Sequence, residues 1–97
     1  MTVTQMKQIL VDKLKAENCY FTEKDITIEK SGNRYKVIIA DYEHIPFEIT
    51  TEAPDDFFGY MVYVWQGKKI IADIESKKDY DLKTALIELG YYIGTRF

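Results

Sequence analysis

The apolar residues of this chain change their spacing twice, and this change restricts the fold more than any other feature of the sequence. Near the start they recur every three or four residues, in the middle they alternate with polar residues, and near the end the wider spacing returns. A spacing of three and four is typical of a helix with one apolar face, whereas alternation is typical of a strand. The pattern therefore predicts an α+β domain in the order helix, strands, helix.

The first helix is predicted from an apolar stripe close to the start of the chain. The stripe consists of Val3, Met6, Ile9, Leu10 and Leu14. Thr2 and Gln5 have the spacing of a capping box, in which two side chains accept hydrogen bonds from backbone N–H groups at the helix start. We expect this helix to end near Asn18.

The second helix is predicted from a stripe formed by Leu82, Ala85, Leu86, Leu89 and Ile93. Ser76, followed three residues later by Asp79, marks its expected start. Gly90 or Gly94 marks its expected end, because glycine is common where helices stop. The aromatic tail over residues 91–97 is expected to dock on the domain, with an oligomer interface as the alternative.

The alternating region between the helices predicts five strands. They are centred on residues 26–29, 35–39, 45–49, 60–65 and 69–75. Because the connections are short, we expect an antiparallel sheet with the strands in chain order, flanked by the N-terminal and C-terminal helices. Pro46 lacks a backbone N–H and therefore favours an edge position or a strand start for the third strand.

Alternation assigns the strand residues to two faces of the sheet. The face expected to contact the helices consists of Val37, Ile39, Ile45, Phe47, Ile49, Val62, Val64, Ile70 and Ala72. The opposite face then consists of Ile38, Tyr42, His44, Met61, Tyr63, Trp65 and Ile71. If both helices cover the first face, the second is an uncovered aromatic surface of the kind that binds a partner. If one helix covers each face, the same residues are ordinary core.

Acidic residues are concentrated in the middle of the chain. The net charge is -3, yet residues 37–67 contain six acids and no Lys or Arg, which leaves the remainder of the chain positive. We call these six residues the acidic zone: Asp41, Glu43, Glu48, Glu52, Asp55 and Asp56. Such a zone is expected to repel nucleic acids and attract basic protein surfaces. The alternative is an acidic surface that serves only solubility.

The connection between the third and fourth predicted strands, residues 51–59, combines three of these acids with Phe57 and Phe58. Long connections often carry recognition residues. An acidic loop with aromatic residues suits a basic, partly apolar cleft on a partner. The two phenylalanines could equally pack under the sheet edge, and we expect at least one of them to belong to the core.

The sequence contains no motif of an established catalytic or cofactor-binding type. His44 is the one histidine and Cys19 the one cysteine, and no spacing brings them together with an acid. Glu43 and His44 are adjacent in sequence and would point to opposite faces of a strand, which disfavours a metal site. We therefore expect no catalytic residue, no cofactor and no metal.

Aromatic residues on an open sheet also bind single-stranded nucleic acids by stacking. Here the predicted aromatic face is flanked by Asp41, Glu48 and Asp73, and Lys36 is the base assigned to it. Phosphates are repelled by such a surface. We therefore expect no direct binding of nucleic acid.

The length and composition indicate one domain in a reducing compartment. A chain of 97 residues supports a single core, and one cysteine cannot form an intramolecular disulfide. The first residues lack the basic start and apolar run of a signal peptide, and no apolar stretch approaches the roughly 20 residues that cross a membrane. These features predict a cytoplasmic protein without membrane contact.

The expected function is a non-enzymatic protein-binding module whose partner carries a basic surface. The particular form that we favour is a small acidic inhibitor that occupies the nucleic-acid-binding surface of a host or defence enzyme, as a phage-type antagonist would. The residues expected to contact the partner are the acidic zone together with Phe57, Phe58, Tyr63 and Trp65. The main alternative is a homodimeric accessory module that associates through the aromatic sheet face. A small enzyme or metal protein using His44 is the least supported reading.

Overall fold

The structure is a computed structural model that describes residues 1–40, 45–51, 61–75 and 79–96, with the side chains of residues 79 and 80 excepted. It contains two α-helices, a five-stranded sheet and a short 3-10 helix over Glu23–Asp25. The helices are α1 (Val3–Ala16) and α2 (Asp79–Arg96). The strands are β1 (Ile26–Ser31), β2 (Arg34–Ile39), β3 (Phe47–Thr50), β4 (Met61–Gln66) and β5 (Lys69–Glu75). The predicted α+β fold, with an N-terminal and a C-terminal helix, is confirmed.

The five strands lie side by side in chain order, and each pair of neighbours is antiparallel. Gly32 and Gly67 sit in the tight turns of the β1–β2 and β4–β5 hairpins with φ of 60° and 59°. Glycine adopts this left-handed conformation without the steric cost that a Cβ imposes. The third strand is central in the sheet, so Pro46 marks the start of the strand and not an edge.

Helix α1 begins and ends as its sequence predicts. The Thr2 hydroxyl accepts a hydrogen bond from the Gln5 N–H at 3.1 Å, and the Gln5 carboxamide oxygen accepts one from the Thr2 N–H at 2.8 Å. This is the predicted capping box. After Ala16 the chain leaves the helix, and Asn18 adopts a left-handed φ of 64° that reverses its direction.

Helix α2 does not end at its glycines, so that part of the prediction is wrong. The helix continues through Gly90 and Gly94 to Arg96. A Cβ at Gly90 would lie 2.9 Å from the Cβ of Lys13, and one at Gly94 would overlap the Cβ of Glu17. The two glycines therefore let α1 approach the backbone of α2 closely, and they serve helix packing instead of helix termination. Ser76, the predicted helix start, lies outside the described residues.

Both helices pack on the same face of the sheet. Buried side chains from α1, α2 and strands β1 to β4 form one cluster, with Ala72 and Ile74 of β5 packed against it. The fully buried members with the largest side chains are Phe47, Met6, Leu10, Leu14, Ile26, Ile39, Ile49, Leu86, Leu89, Ile93, Val37 and Val64. The alternative of one helix on each face of the sheet is therefore excluded.

The aromatic tail docks on the domain as the final turns of α2. Ile93 is buried, and the Tyr92 hydroxyl donates a hydrogen bond of 2.5 Å to the Gln66 carboxamide oxygen. The Tyr92 ring also meets Phe47 edge-on, with the centroids 6.4 Å apart. Tyr91 is half exposed, and Phe97 lies outside the described residues.

A β-bulge in β5 corrects the predicted faces. Val64 pairs with Ala72, but the next residue of β4, Trp65, pairs with Ile70, so Ile71 is an extra residue. Because the extra residue breaks the alternation, Ile71 packs against the core while Ile70 lies on the opposite face and is 37% exposed. The sequence pattern placed these two isoleucines the other way round. Ile45, also expected in the third strand, precedes it.

Candidate protein-binding surface

The face of the sheet opposite the helices is the first candidate surface, and we call it the open face. The strand register assigns the following side chains to it: Thr27, Glu29, Arg34, Lys36, Ile38, Glu48, Thr50, Met61, Tyr63, Trp65, Ile70 and Asp73. Neither α1 nor α2 packs on this face, because both belong to the core on the other side. The predicted location of Tyr63 and Trp65 away from the helices is confirmed.

The aromatic residues of the open face are less available than predicted. Tyr63 is only 5% exposed, and Trp65 is partly buried. The Trp65 indole N–H is buried and has no hydrogen-bond acceptor among the described residues. The expectation of a broad uncovered aromatic surface is therefore wrong for Tyr63. Among the described apolar residues of this face, Ile70 is exposed, and Ile38, Met61 and Trp65 are partly buried.

Glu48 is the one member of the acidic zone within the described residues, and bases surround it. It lies directly across from Lys36 on β2, and its carboxylate oxygen is 3.8 Å from Nε of Arg34. Both side chains of the Arg34–Glu48 pair remain substantially exposed, so the pair contributes little to stability. The positive charge of Arg34 partly neutralises the negative charge of Glu48. The sequence reasoning assigned Lys36 to this face but missed Arg34, which the same alternation places there.

The remaining predicted contact residues lie outside the described residues. They are Asp41, Glu43, Glu52, Asp55, Asp56, Phe57 and Phe58. Tyr42 and His44, assigned to the opposite sheet face, also lie outside the description. The structure does establish where their segments attach, since the strands on either side are described.

The two acidic connections attach at opposite ends of β3. The β2–β3 connection enters β3 at Phe47, and the β3–β4 connection leaves it after Thr50. The four residues of this strand separate its ends by roughly 10 Å, since each of the three steps spans about 3.3 Å. In the sequence, Asp41 and Glu43 belong to the first connection, and Glu52, Asp55 and Asp56 belong to the second.

Two exposed bases follow the β4–β5 turn, which is joined to the entry of β3. The Gly67 N–H in the β4–β5 turn donates a hydrogen bond of 3.4 Å to the Pro46 carbonyl, which joins this turn to the entry of β3. Lys68 and Lys69 follow in the same turn and are exposed. At the other end of β3, Arg34 is engaged with Glu48.

The described residues offer little for catalysis. Cys19 is a free, partly buried thiol whose Sγ lies 3.9 Å from the carbonyl oxygen of Gly94. No group of three His, Cys, Asp or Glu side chains converges on a metal-sized site within the described ranges. Of the helices described here, neither is long and apolar enough to span a bilayer.

The chain matches no protein-family model, and no curated protein or solved structure shows significant similarity to it.

Proposed function

We propose that this chain is a non-enzymatic protein-binding module that recognises a basic surface on another protein. The observation that carries the proposal is how the β3–β4 connection is attached. This connection contains Glu52, Asp55 and Asp56 and no base. It leaves β3 after Thr50 and enters β4 at Met61, and the last cross-strand pair next to it, Thr50 with Tyr63, is buried, with members 4% and 5% exposed.

Rigid attachment of this kind supports recognition. Thr50 and Tyr63 belong to β3 and β4, which are interior strands with a neighbour on each side. A binding segment whose two ends are fixed by packed strands loses less conformational entropy on association than one on a free chain. The negatively charged β3–β4 connection is thus attached at both ends to interior strands of the sheet.

The chemistry of the segment favours one class of partner. Carboxylates form charge-assisted hydrogen bonds with the same arginine and lysine side chains that bind phosphates. A protein surface that binds nucleic acid is therefore the kind of basic surface that these acids fit. The specific form of the proposal is an inhibitor that competes with nucleic acid for a host or defence enzyme, as a phage-type antagonist would.

A competition assay tests this form. A labelled oligonucleotide bound to the captured partner protein should be displaced by the wild-type chain, with weaker displacement as salt is raised, because salt screens charge pairs at a surface. A variant with Glu52→Gln, Asp55→Asn and Asp56→Asn should not displace it. Formation of a ternary complex that retains the oligonucleotide would contradict the inhibitor form while leaving protein binding intact.

Self-association through the open face is a second candidate, and the Trp65–Ile70 pair favours it. These two side chains form an apolar cross-strand pair on the side of the sheet away from the helices. Under this proposal, Trp65→Glu and Ile70→Glu should each convert a dimer to a monomer in light scattering. Ile70→Glu is the better variant, because Ile70 is 37% exposed and its replacement leaves the core unchanged. A monomeric wild-type protein at high concentration rules this candidate out.

A further inference from the structure

A groove lies between β5 and the C-terminal half of α2, on the helix side of the sheet. Its volume is about 250 Å³, and it is partly enclosed. Its walls are formed by Ile71, Ala72, Glu88, Tyr91, Tyr92, Thr95 and Arg96. The floor is apolar, since Ile71 and Ala72 come from the strand, and charged side chains stand along the helix. None of these wall residues belongs to the acidic β3–β4 connection, and the groove plays no part in the function proposed above.

The strand beside the groove has a free edge. Within the described residues β5 pairs only with β4, and none of its seven residues is buried. The outward N–H and C=O groups of an edge strand are able to pair with an added strand. The bulge at Ile71 increases the local twist, which disfavours indiscriminate pairing of flat edges.

A cation is held in position at one end of the groove. The Arg96 guanidinium lies over the Tyr92 ring, 4.3 Å from its centroid, and it has no carboxylate partner among the described residues. Tyr92 is itself fixed by its hydrogen bond to Gln66 and by its contact with Phe47. The side chain of Arg96 is thus stacked on a fixed ring, while its N–H donors remain available to a carboxylate.

An unpaired acid stands farther along the same wall. Glu88 is exposed and makes no ion pair with any described residue. It precedes Arg96 by two turns of α2, which separates the two positions by about 12 Å at 1.5 Å per residue. An extended peptide covers a similar distance with about four residues at 3.3 Å each. Both charged side chains line the groove, so the groove is complementary to a peptide that carries both an acid and a base.

We propose that this groove binds an extended peptide that adds as a strand to the outer edge of β5 and pairs a carboxylate with Arg96. Alternate side chains of the peptide face the groove, so an aliphatic residue between the charged ends rests on Ile71 and Ala72. The carboxylate is either an Asp or Glu side chain or the free C-terminus of the peptide. The backbone pairing supplies affinity, and the charged ends select the sequence.

Selection from a displayed library of random heptapeptides tests the proposal with the whole chain as the target. The enriched peptides should carry an acid or end in a free carboxylate. Synthetic peptides made both as C-terminal acids and as amides distinguish the two sources of the carboxylate. In amide NMR spectra, the bound peptide should shift the resonances of Ile71, Ala72 and Arg96.

Two variants and one chemical change make the test specific. Arg96→Gln should weaken binding about ten- to a hundred-fold, the usual effect of losing a hydrogen bond to a charged group. Lys83→Gln, which removes a base elsewhere on α2, should leave binding unchanged. N-methylation of alternate peptide amides should abolish binding, whereas methylation of the intervening amides should not. Failure to enrich peptides, equal binding to Arg96→Gln, or insensitivity to N-methylation would each overturn the proposal.

Discussion

Replacing Gly94 with alanine tests whether close contact between α1 and α2 explains the glycines in the second helix. A Cβ at Gly94 would overlap the Cβ of Glu17 and lie 2.8 Å from its Cγ. Both β-carbons are bonded directly to backbone, that of residue 94 within α2 and that of Glu17 at the C-cap of α1, so side-chain rotation does not relieve the overlap and the two segments must separate. The backbone of Gly94 is helical, so alanine is compatible with the conformation at this position.

The expected magnitude follows from two opposing effects. Alanine favours a helix over glycine by about 1 kcal/mol, whereas forcing extra volume into a packed interface costs about 1 to 3 kcal/mol. We expect Gly94→Ala to lower the free energy of unfolding by up to about 2 kcal/mol, and the melting temperature by up to roughly 15 °C for a domain of this size. Urea and thermal denaturation followed by circular dichroism measure both quantities.

A double variant isolates the cause. Glu17→Gly removes the obstructing Cβ, so Gly94→Ala combined with Glu17→Gly should be more stable than the sum of the two single changes predicts, by at least 1 kcal/mol. Glu17→Ala is the matched control. It removes the same 3.2 Å ion pair with Lys13 but keeps the Cβ, and should therefore give no rescue. A Gly94→Ala protein more stable than wild type, or equal rescue by both changes, would refute the reasoning.

Two further predictions concern single hydrogen bonds. Thr2→Ala removes the capping-box acceptor and should cost about 1 kcal/mol of stability in urea denaturation. The control, Thr4→Ala, changes an exposed residue inside the same helix and should not destabilise the protein. Tyr92→Phe removes the hydroxyl that donates to Gln66 and should cost about 1 kcal/mol. Tyr91→Phe, in a half-exposed side chain next to it, should change nothing measurable, and equal effects of the two changes would count against the assigned role of the bond.

The order of helices and strands was predictable because the apolar residues of each element recur at a single spacing, every three or four residues in the helices and every second residue in the strands. The helix stripe around Leu10 and the alternation around Val37 each satisfy a single burial requirement, and local caps such as Thr2 confirm the boundaries. The errors arose where tertiary contacts override local preference. Gly94 was interpreted as the end of the helix, although its lack of a side chain allows α1 to pack closely against α2. The extra residue Ile71 exchanges the sheet faces of Ile70 and Ile71, and a strict alternation of residues does not predict such a bulge.

The candidate surface was less predictable than the fold for a different reason. The alternation of residues along a strand predicts which face of the sheet a side chain occupies. It does not predict how much of that side chain is accessible to solvent, so the burial of Tyr63 was not predictable from the sequence. The balance between Glu48 and Arg34 depends on the register of β2 against β3, which is a property of the assembled sheet.

The most direct test of the proposed function is an affinity capture with three baits from a lysate of the cells that produce the protein. The baits are the wild-type chain, the variant neutralised at Glu52, Asp55 and Asp56, and a control of equal charge carrying Glu29→Gln, Asp73→Asn and Glu75→Gln. The control changes three exposed acids of the described strands. We predict that the wild type and the control capture the same basic protein at low salt and release it at high salt, whereas the first variant does not capture it. Capture of the same proteins by all three baits, or binding that is insensitive to salt, would contradict the proposal that the acidic β3–β4 connection recognises a basic partner.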